Sequence, residues 1–186
     1  MYCNQNAIDQ YERYGDLKHD YEVLKGILTS IIPSRVLDFG CGSGGLFPLY
    51  QDLNIREIIG QGISKESLNL ARMHHNYENV KLLNVPADKL DLSDYYFNIV
   101  ICNRVLQHIP SSSIEQTIKI LCRLGKLIYV NKISDNDGLL LGCNYSLFLH
   151  DYVNLFKNFG FYIKDKGFVI SEINTNQKWF LFERSI

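Results

Sequence analysis

Three observations predict an α/β fold built on a mostly parallel sheet. An apolar run, Arg35-Val36-Leu37-Asp38-Phe39, breaks directly into alternating glycines and then into a helical segment opened by Leu46. Strand-like and helix-like patterns then alternate along most of the chain, which is how a parallel sheet comes to lie beneath helices on both faces. Two β-rich runs stand close together near the C-terminus, over 161–170 and 177–184, as an antiparallel hairpin requires.

The elements follow in order. Residues 7 to about 14 and 18 to 32 carry helical periodicity, and Pro33 closes the second segment. Together they are expected to form an N-terminal helical flap over 1–33, the rest of the 186 residues completing a single domain. A strand over 35–39 leads through the glycines to a helix near 45–52, then a strand over 56–63 and a helix over 65–76. Ser64 stands where an N-cap belongs. Strands over 80–84 and 97–103, a helix near 112–122, an apolar strand over 126–133 and a helix over 148–159 complete the alternation. The connection from about 134 to 147 is short.

Chemistry concentrates at the glycine turn. Gly40, Gly42 and Gly44 carry no Cβ, so the backbone there can turn with positive φ and come close to a ligand. Asp38 stands at the carboxyl end of its strand, where open α/β sheets bind ligands. Its carboxylate would repel a pyrophosphate held at the helix N-terminus, whereas it suits a ligand bearing an ammonium and sugar hydroxyls.

With those residues in view, the chain resembles the class I S-adenosylmethionine-dependent methyltransferases of the small-molecule type. Their first motif, an acid followed by three alternating glycines, stands here as Asp38-Phe39-Gly40-Cys41-Gly42-Ser43-Gly44. The resemblance continues in register through Ile58-Ile59-Gly60-Gln61-Gly62-Ile63-Ser64, Phe97-Asn98-Ile99-Val100-Ile101-Cys102-Asn103, Val105-Leu106-Gln107-His108-Ile109-Pro110 and Leu155-Phe156-Lys157-Asn158-Phe159-Gly160-Phe161. It implies a Rossmann-like seven-stranded sheet, order 3-2-1-4-5-7-6, with helices on both faces. It also implies S-adenosylmethionine as cofactor and methyl transfer to an oxygen or nitrogen of a small metabolite.

One position departs from the family. The second strand usually ends on an acid that accepts both ribose hydroxyls in a charge-assisted fork, and Gly62 stands there instead, followed by Ile63. Gln61 is the nearest neutral acceptor, although strand periodicity sets it on the opposite face from Gly62. Three readings stay open: an enzyme with weaker cofactor binding, a site reshaped for a modified cofactor, and a degenerate domain serving as a binding or regulatory subunit.

By the same resemblance, Asp88 after the third strand accepts from the adenine amino group, with the backbone amides of Ala87 and Asp88 as alternatives. Asn103 faces the methionine portion of the cofactor or the acceptor, and the Cys41 backbone belongs to the glycine cradle. Tyr11 or Tyr14 in the flap reaches the methionine carboxylate or packs on the core. Methyl transfer from a sulfonium needs an aligned nucleophile, exclusion of water and, for a hydroxyl, a proton acceptor. His108 is the acid-base candidate, because it follows the fourth strand and titrates near neutrality; packing is its alternative role. His74 and His75 read as solvated residues at a helix end, and His150 as a second candidate base.

Composition narrows the class. Nineteen Lys and Arg against twenty Asp and Glu give a formal net charge of -1, so no basic field favours a nucleic-acid substrate. Five cysteines without a Cys-x-x-Cys pair suggest neither a disulfide framework nor a zinc site, and a reducing cytoplasm fits them. Neither a signal peptide nor a membrane-spanning apolar run is read from the chain.

Overall fold

The structure is a computed structural model, and it describes residues 18–133, 148–170 and 176–185. The expected helix over 7 to about 14, Tyr11, Tyr14 and the connection from about 134 to 147 lie outside the described residues. In chain order the elements are α1 (Lys18–Ile31), β1 (Arg35–Phe39), α2 (Phe47–Asp52), β2 (Glu57–Gln61), α3 (Lys65–His74), β3 (Val80–Leu83), β4 (Phe97–Asn103), α4 (Ser111–Leu124), β5 (Gly125–Ile133), α5 (Tyr152–Lys157), β6 (Phe161–Ile170) and β7 (Asn176–Arg184). Short 3₁₀ turns cover Ala87–Lys89 and Leu106–His108. The seven strands form one sheet in the order β3-β2-β1-β4-β5-β7-β6.

The described chain divides into two units, ending and beginning at Pro86 and Ala87. In the first, β1 pairs in parallel with β2, from Arg35 opposite Glu57 to Phe39 opposite Gln61, and β2 pairs in parallel with β3. Val36 to Phe39 are all buried, the near-continuous apolar pattern of a strand covered on both faces. Helix α1 buries Leu24, Ile27 and Leu28, one stripe at helical spacing. Helix α3 starts as expected: the Ser64 hydroxyl accepts from the Ser67 N–H at 3.1 Å.

In the second unit β4 and β5 are parallel, and β7 runs antiparallel between β5 and β6. Helix α4 buries Ile114, Thr117, Ile118, Leu121 and Cys122 along one face. Gly125, at the start of β5, is required by a close approach, since a Cβ there would lie 2.5 Å from Val100 Cγ2. Phe156 of α5 stacks on Phe182 of β7 with ring centroids 4.2 Å apart, and both are fully buried.

The largest departure from expectation is α5, six residues rather than the helix over 148–159. Its start is fixed by Asp151, whose Oδ1 accepts from the Asn154 N–H at 3.1 Å and whose Oδ2 accepts from Asn154 Nδ2. Phe148 and His150 instead bond outward, the Phe148 N–H to the Gln107 carbonyl and His150 Nε2 to the Ile109 carbonyl, each at 2.8 Å. Gly160, at φ 76, turns the chain away after the helix.

Candidate functional site

The first unit builds a backbone cradle after β1. Gly40, Gly42 and Gly44 take φ of 73, 55 and 84°, the left-handed region that a Cβ penalises. The turn is pinned from beneath: the Gly40 and Cys41 N–H groups both donate to the Gln61 main-chain carbonyl, at 2.8 and 2.9 Å. Gly44 is also held by close packing, because a Cβ would fall 2.6 Å from the Phe47 ring and 3.0 Å from His75.

Asp38 is buried within β1, and burial pushes its carboxyl up to about 7, with the Tyr50 hydroxyl pulling the other way. A cation brought beside it would restore the charged form. Burial, then the neighbouring Asp38 charge, pushes the Cys41 thiol well above its ordinary value, so it is no nucleophile.

Gln61 spends both ends of its amide inside the protein. Its Oε1 accepts from the Gly40 N–H at 3.2 Å and its Nε2 donates to the Val85 carbonyl at 2.6 Å. Gly62 is buried beyond the end of β2; its carbonyl accepts from Asn84 Nδ2 at 3.0 Å. A Cβ at Gly62 would meet nothing closer than Leu68 Cδ2 at 3.4 Å, and its φ lies outside the left-handed region. Ile63 beside it is 79% exposed.

In the second unit a polar network gathers at the carboxyl ends of β4 and β5 and the start of β7. Asn131 Nδ2 donates to Asn103 Oδ1 at 2.9 Å and to Gln177 Oε1 at 3.0 Å, and Arg104 Nε donates to the same Gln177 oxygen at 3.2 Å. With its carbonyl so engaged, Asn103 has its Nδ2 as the end that can donate to a ligand. Arg104, at φ 60, closes the network by donating its own N–H to the Asn131 carbonyl at 2.9 Å. His108 lies on the 3₁₀ turn after β4; it is exposed overall, yet partial burial of its ring pushes its pKa below 6.5, so the imidazole is neutral at neutral pH.

Residues 36–126 match the family described as "Methyltransferase domain". Over that stretch the chain carries a methyltransferase domain. No curated protein matches it in sequence. Among solved structures it is similar to magnesium protoporphyrin IX methyltransferase from Synechocystis PCC 6803 with bound SAH, at 20% identity over 99% of this chain and 97% of that one, TM-score 0.77. It is also similar to the 1,6-didemethyltoxoflavin-N1-methyltransferase of Burkholderia thailandensis, with bound 1,6-didemethyltoxoflavin and S-adenosylhomocysteine, at 15% identity over 98% and 85% of the chains, TM-score 0.76. The 4+2 cyclase SpnF shares 16% identity over 82% and 76%, TM-score 0.68. At these identities the likeness is one of fold, and the sheet order is the one the family resemblance implies.

Within the methyltransferase domain, the first unit brings Asp38, Gly40, Cys41, Gly42, Gly44, Gln61, Gly62 and Ile63 to one end of β1 and β2. Ala87 and Asp88 lie on the 3₁₀ turn of the second unit, Asp88 exposed and 4.0 Å from Lys89 Nζ. Asn103 and His108 stand at and after the end of β4. His75 stands at the C-terminal end of α3 as expected but is not solvated there: it is half-buried, edge-on to Phe47 at 5.9 Å and stacked on Tyr77 at 5.9 Å, a buttress of the glycine turn. Tyr50, whose hydroxyl acts on Asp38 to lower its pKa, carries no motif signal of its own.

Proposed function

We propose that this chain is an S-adenosylmethionine-dependent methyltransferase acting as a single cytoplasmic domain on an oxygen or nitrogen of a small metabolite. The observation that carries the reading is the glycine turn itself, three left-handed glycines beside a fully buried acid at the end of β1. Two of the similar methyltransferase structures are named for small-molecule acceptors, which supports that acceptor class. When bound, the cofactor supplies a methyl group activated by sulfonium. Asp38 would meet its ammonium, the backbone of Gly40 to Gly44 would receive it closely, and exposed Ile63 would cover an apolar face of the base. Asn103 would orient the acceptor by donating from Nδ2, and neutral His108 would accept a proton from a hydroxyl.

Asp38 gives this reading a pH signature. Its raised pKa means that the native state binds a proton more tightly than the unfolded chain, so between about 4 and about 7 its contribution to stability falls as pH rises. The ligand-free protein is therefore expected to lose on the order of a few kcal/mol of Asp38's contribution by pH 8. Asp38→Asn should remove that part of the pH dependence in chemical denaturation. Affinity for S-adenosylhomocysteine should rise as pH passes upward through about 7, since an ammonium favours the carboxylate. A flat affinity profile between pH 6 and 8 would separate Asp38 from the ammonium.

A second reading, an inert methyltransferase-like subunit, is favoured by one observation, the missing acid at Gly62. The space there decides what replacement should do. Because Gly62 needs no left-handed backbone and a Cβ would make only an ordinary contact with Leu68, Gly62→Asp should fold. It should tighten S-adenosylmethionine binding about ten- to hundredfold, a charge-assisted bond of about 1.5–3 kcal/mol. The gain should vanish for an analogue lacking both ribose hydroxyls. Weaker binding by Gly62→Asp would mean that another group already fills the carboxylate's place.

A further inference from the structure

The end of its amide that Asn103 offers is set by residues farther back in the second unit. We propose that Arg104 is a positioning residue: through Gln177 and Asn131 it fixes the polarity of the Asn103 amide. It thereby selects a methyl acceptor that presents a lone pair to Asn103, as a carbonyl or ether oxygen or a pyridine-type nitrogen does. This deepens the methyltransferase reading and rests on it.

Three amides are linked in series. Asn131 Nδ2 donates to Gln177 Oε1 at 3.0 Å and to Asn103 Oδ1 at 2.9 Å. Each amide has a donor end and an acceptor end of nearly the same shape, so the series taken alone can run either way. Reversed as a unit, Gln177 and Asn103 would both donate to Asn131, and Asn103 would show its oxygen to a ligand. The same number of bonds would form. Arg104 decides between the two directions, because a guanidinium carries donors and no acceptor, and its Nε donates to Gln177 Oε1 at 3.2 Å. Turning Gln177 over would set donor against donor. Asn131 must then point Nδ2 at that oxygen, since its own oxygen there would face a second acceptor. It does so although its buried Oδ1 has no partner among the described residues. Asn103, half-buried at the end of β4, is left with Nδ2 to offer.

The backbone supports the same assignment. Arg104 sits at φ 60, a left-handed conformation that is costly for a residue with a long side chain and is held only where its surroundings over-determine it. Glycine or asparagine would adopt it at lower cost. The Arg104 main-chain N–H donates to the Asn131 carbonyl at 2.9 Å while the side chain reaches Gln177, so one residue ties the end of β5 to the start of β7. Asn103 and Asn131 are direct partners across β4 and β5, which keeps their amides within reach of each other. Asn131 and Gln177 are both buried, so water competes little for these bonds.

The test uses the full chain with isotope-labelled side-chain amides, followed by nuclear magnetic resonance at pH 8. The wild type is expected to show a through-hydrogen-bond coupling from Asn131 Nδ2 to the side-chain carbonyl carbon of Asn103. Arg104→Lys, still a donor without an acceptor, should keep it. Arg104→Met keeps the bulk and removes the donors, so the coupling should fall by about half or more as the reversed series becomes populated. Arg104→Gly should do the same with a relaxed backbone, which keeps the test intact if the methionine variant does not fold. With S-adenosylhomocysteine present, quinoline, whose nitrogen only accepts, should perturb the Asn103 amide with an affinity at least about tenfold above that of indole, whose N–H only donates. The methionine and glycine variants should narrow that ratio to below about threefold. An unchanged coupling in a folded methionine or glycine variant, equal binding of the two probes by the wild type, or neither probe reaching Asn103 would overturn the proposal. Failure of S-adenosylhomocysteine to bind a wild type that shows the coupling would overturn the methyltransferase reading and the selection of its acceptor, leaving the amide relay; binding without the coupling would overturn the relay alone.

Discussion

Gly42→Val is expected to abolish binding of S-adenosylmethionine and S-adenosylhomocysteine, a loss of more than about a hundredfold, in a protein that still folds. Gly42 sits at φ 55, where a β-branched residue is forced against its own backbone at a cost of roughly 1–2 kcal/mol. That strain alone leaves a folded domain, since the core of the first unit, including Leu37, Phe47, Leu49 and Tyr50, is untouched. The added side chain would also occupy the space the ligand needs. Gly42→Asn separates the two effects, because asparagine tolerates the left-handed region. It should regain thermal stability and still bind poorly. Wild-type affinity in the asparagine variant would show that the loop's conformation matters and its close approach to the ligand does not.

His108→Ala should lower turnover about 10²–10⁴-fold with little change in affinity for the cofactor. The residue stands on the 3₁₀ turn just past β4, and partial burial holds its pKa below 6.5. A proton acceptor must be neutral, so the acid limb of the turnover profile should fall below pH 6.5 and disappear in the variant. Near-normal turnover with a lowered melting temperature would remove His108 from the chemistry and assign it to packing.

The strand over 35–39 and its glycine turn were legible because their causes are local. An apolar run buried on both faces and glycines at left-handed positions leave their pattern in adjacent residues, and the structure places them accordingly. The Ser64 cap is local for the same reason. The parallel order of the sheet followed from alternation and family resemblance. What sequence could not show is long-range. Gln61 looked like an acceptor for a ribose, yet its amide is bound by Gly40 and by Val85, 24 residues away. His75 does stand at the end of α3, and what the local pattern does not carry is the tertiary approach of Phe47, which turns its ring under the glycine loop and out of full solvent. The helix expected over 148–159 shows apolar periodicity throughout, but the Asp151 cap and two outward bonds from Phe148 and His150 confine it to six residues. Asn131 and Gln177 are 46 positions apart in numbering, and only the β5–β7 register brings their amides together.

The most direct test of the central claim is a calorimetric titration of the full chain with S-adenosylhomocysteine, run beside the Gly42→Val protein at pH 8. The account predicts saturable one-to-one binding by the wild type, a matching rise in its melting temperature with ligand concentration, and neither response in the variant. Absence of binding to the folded wild type, or equal binding by both proteins, would contradict it.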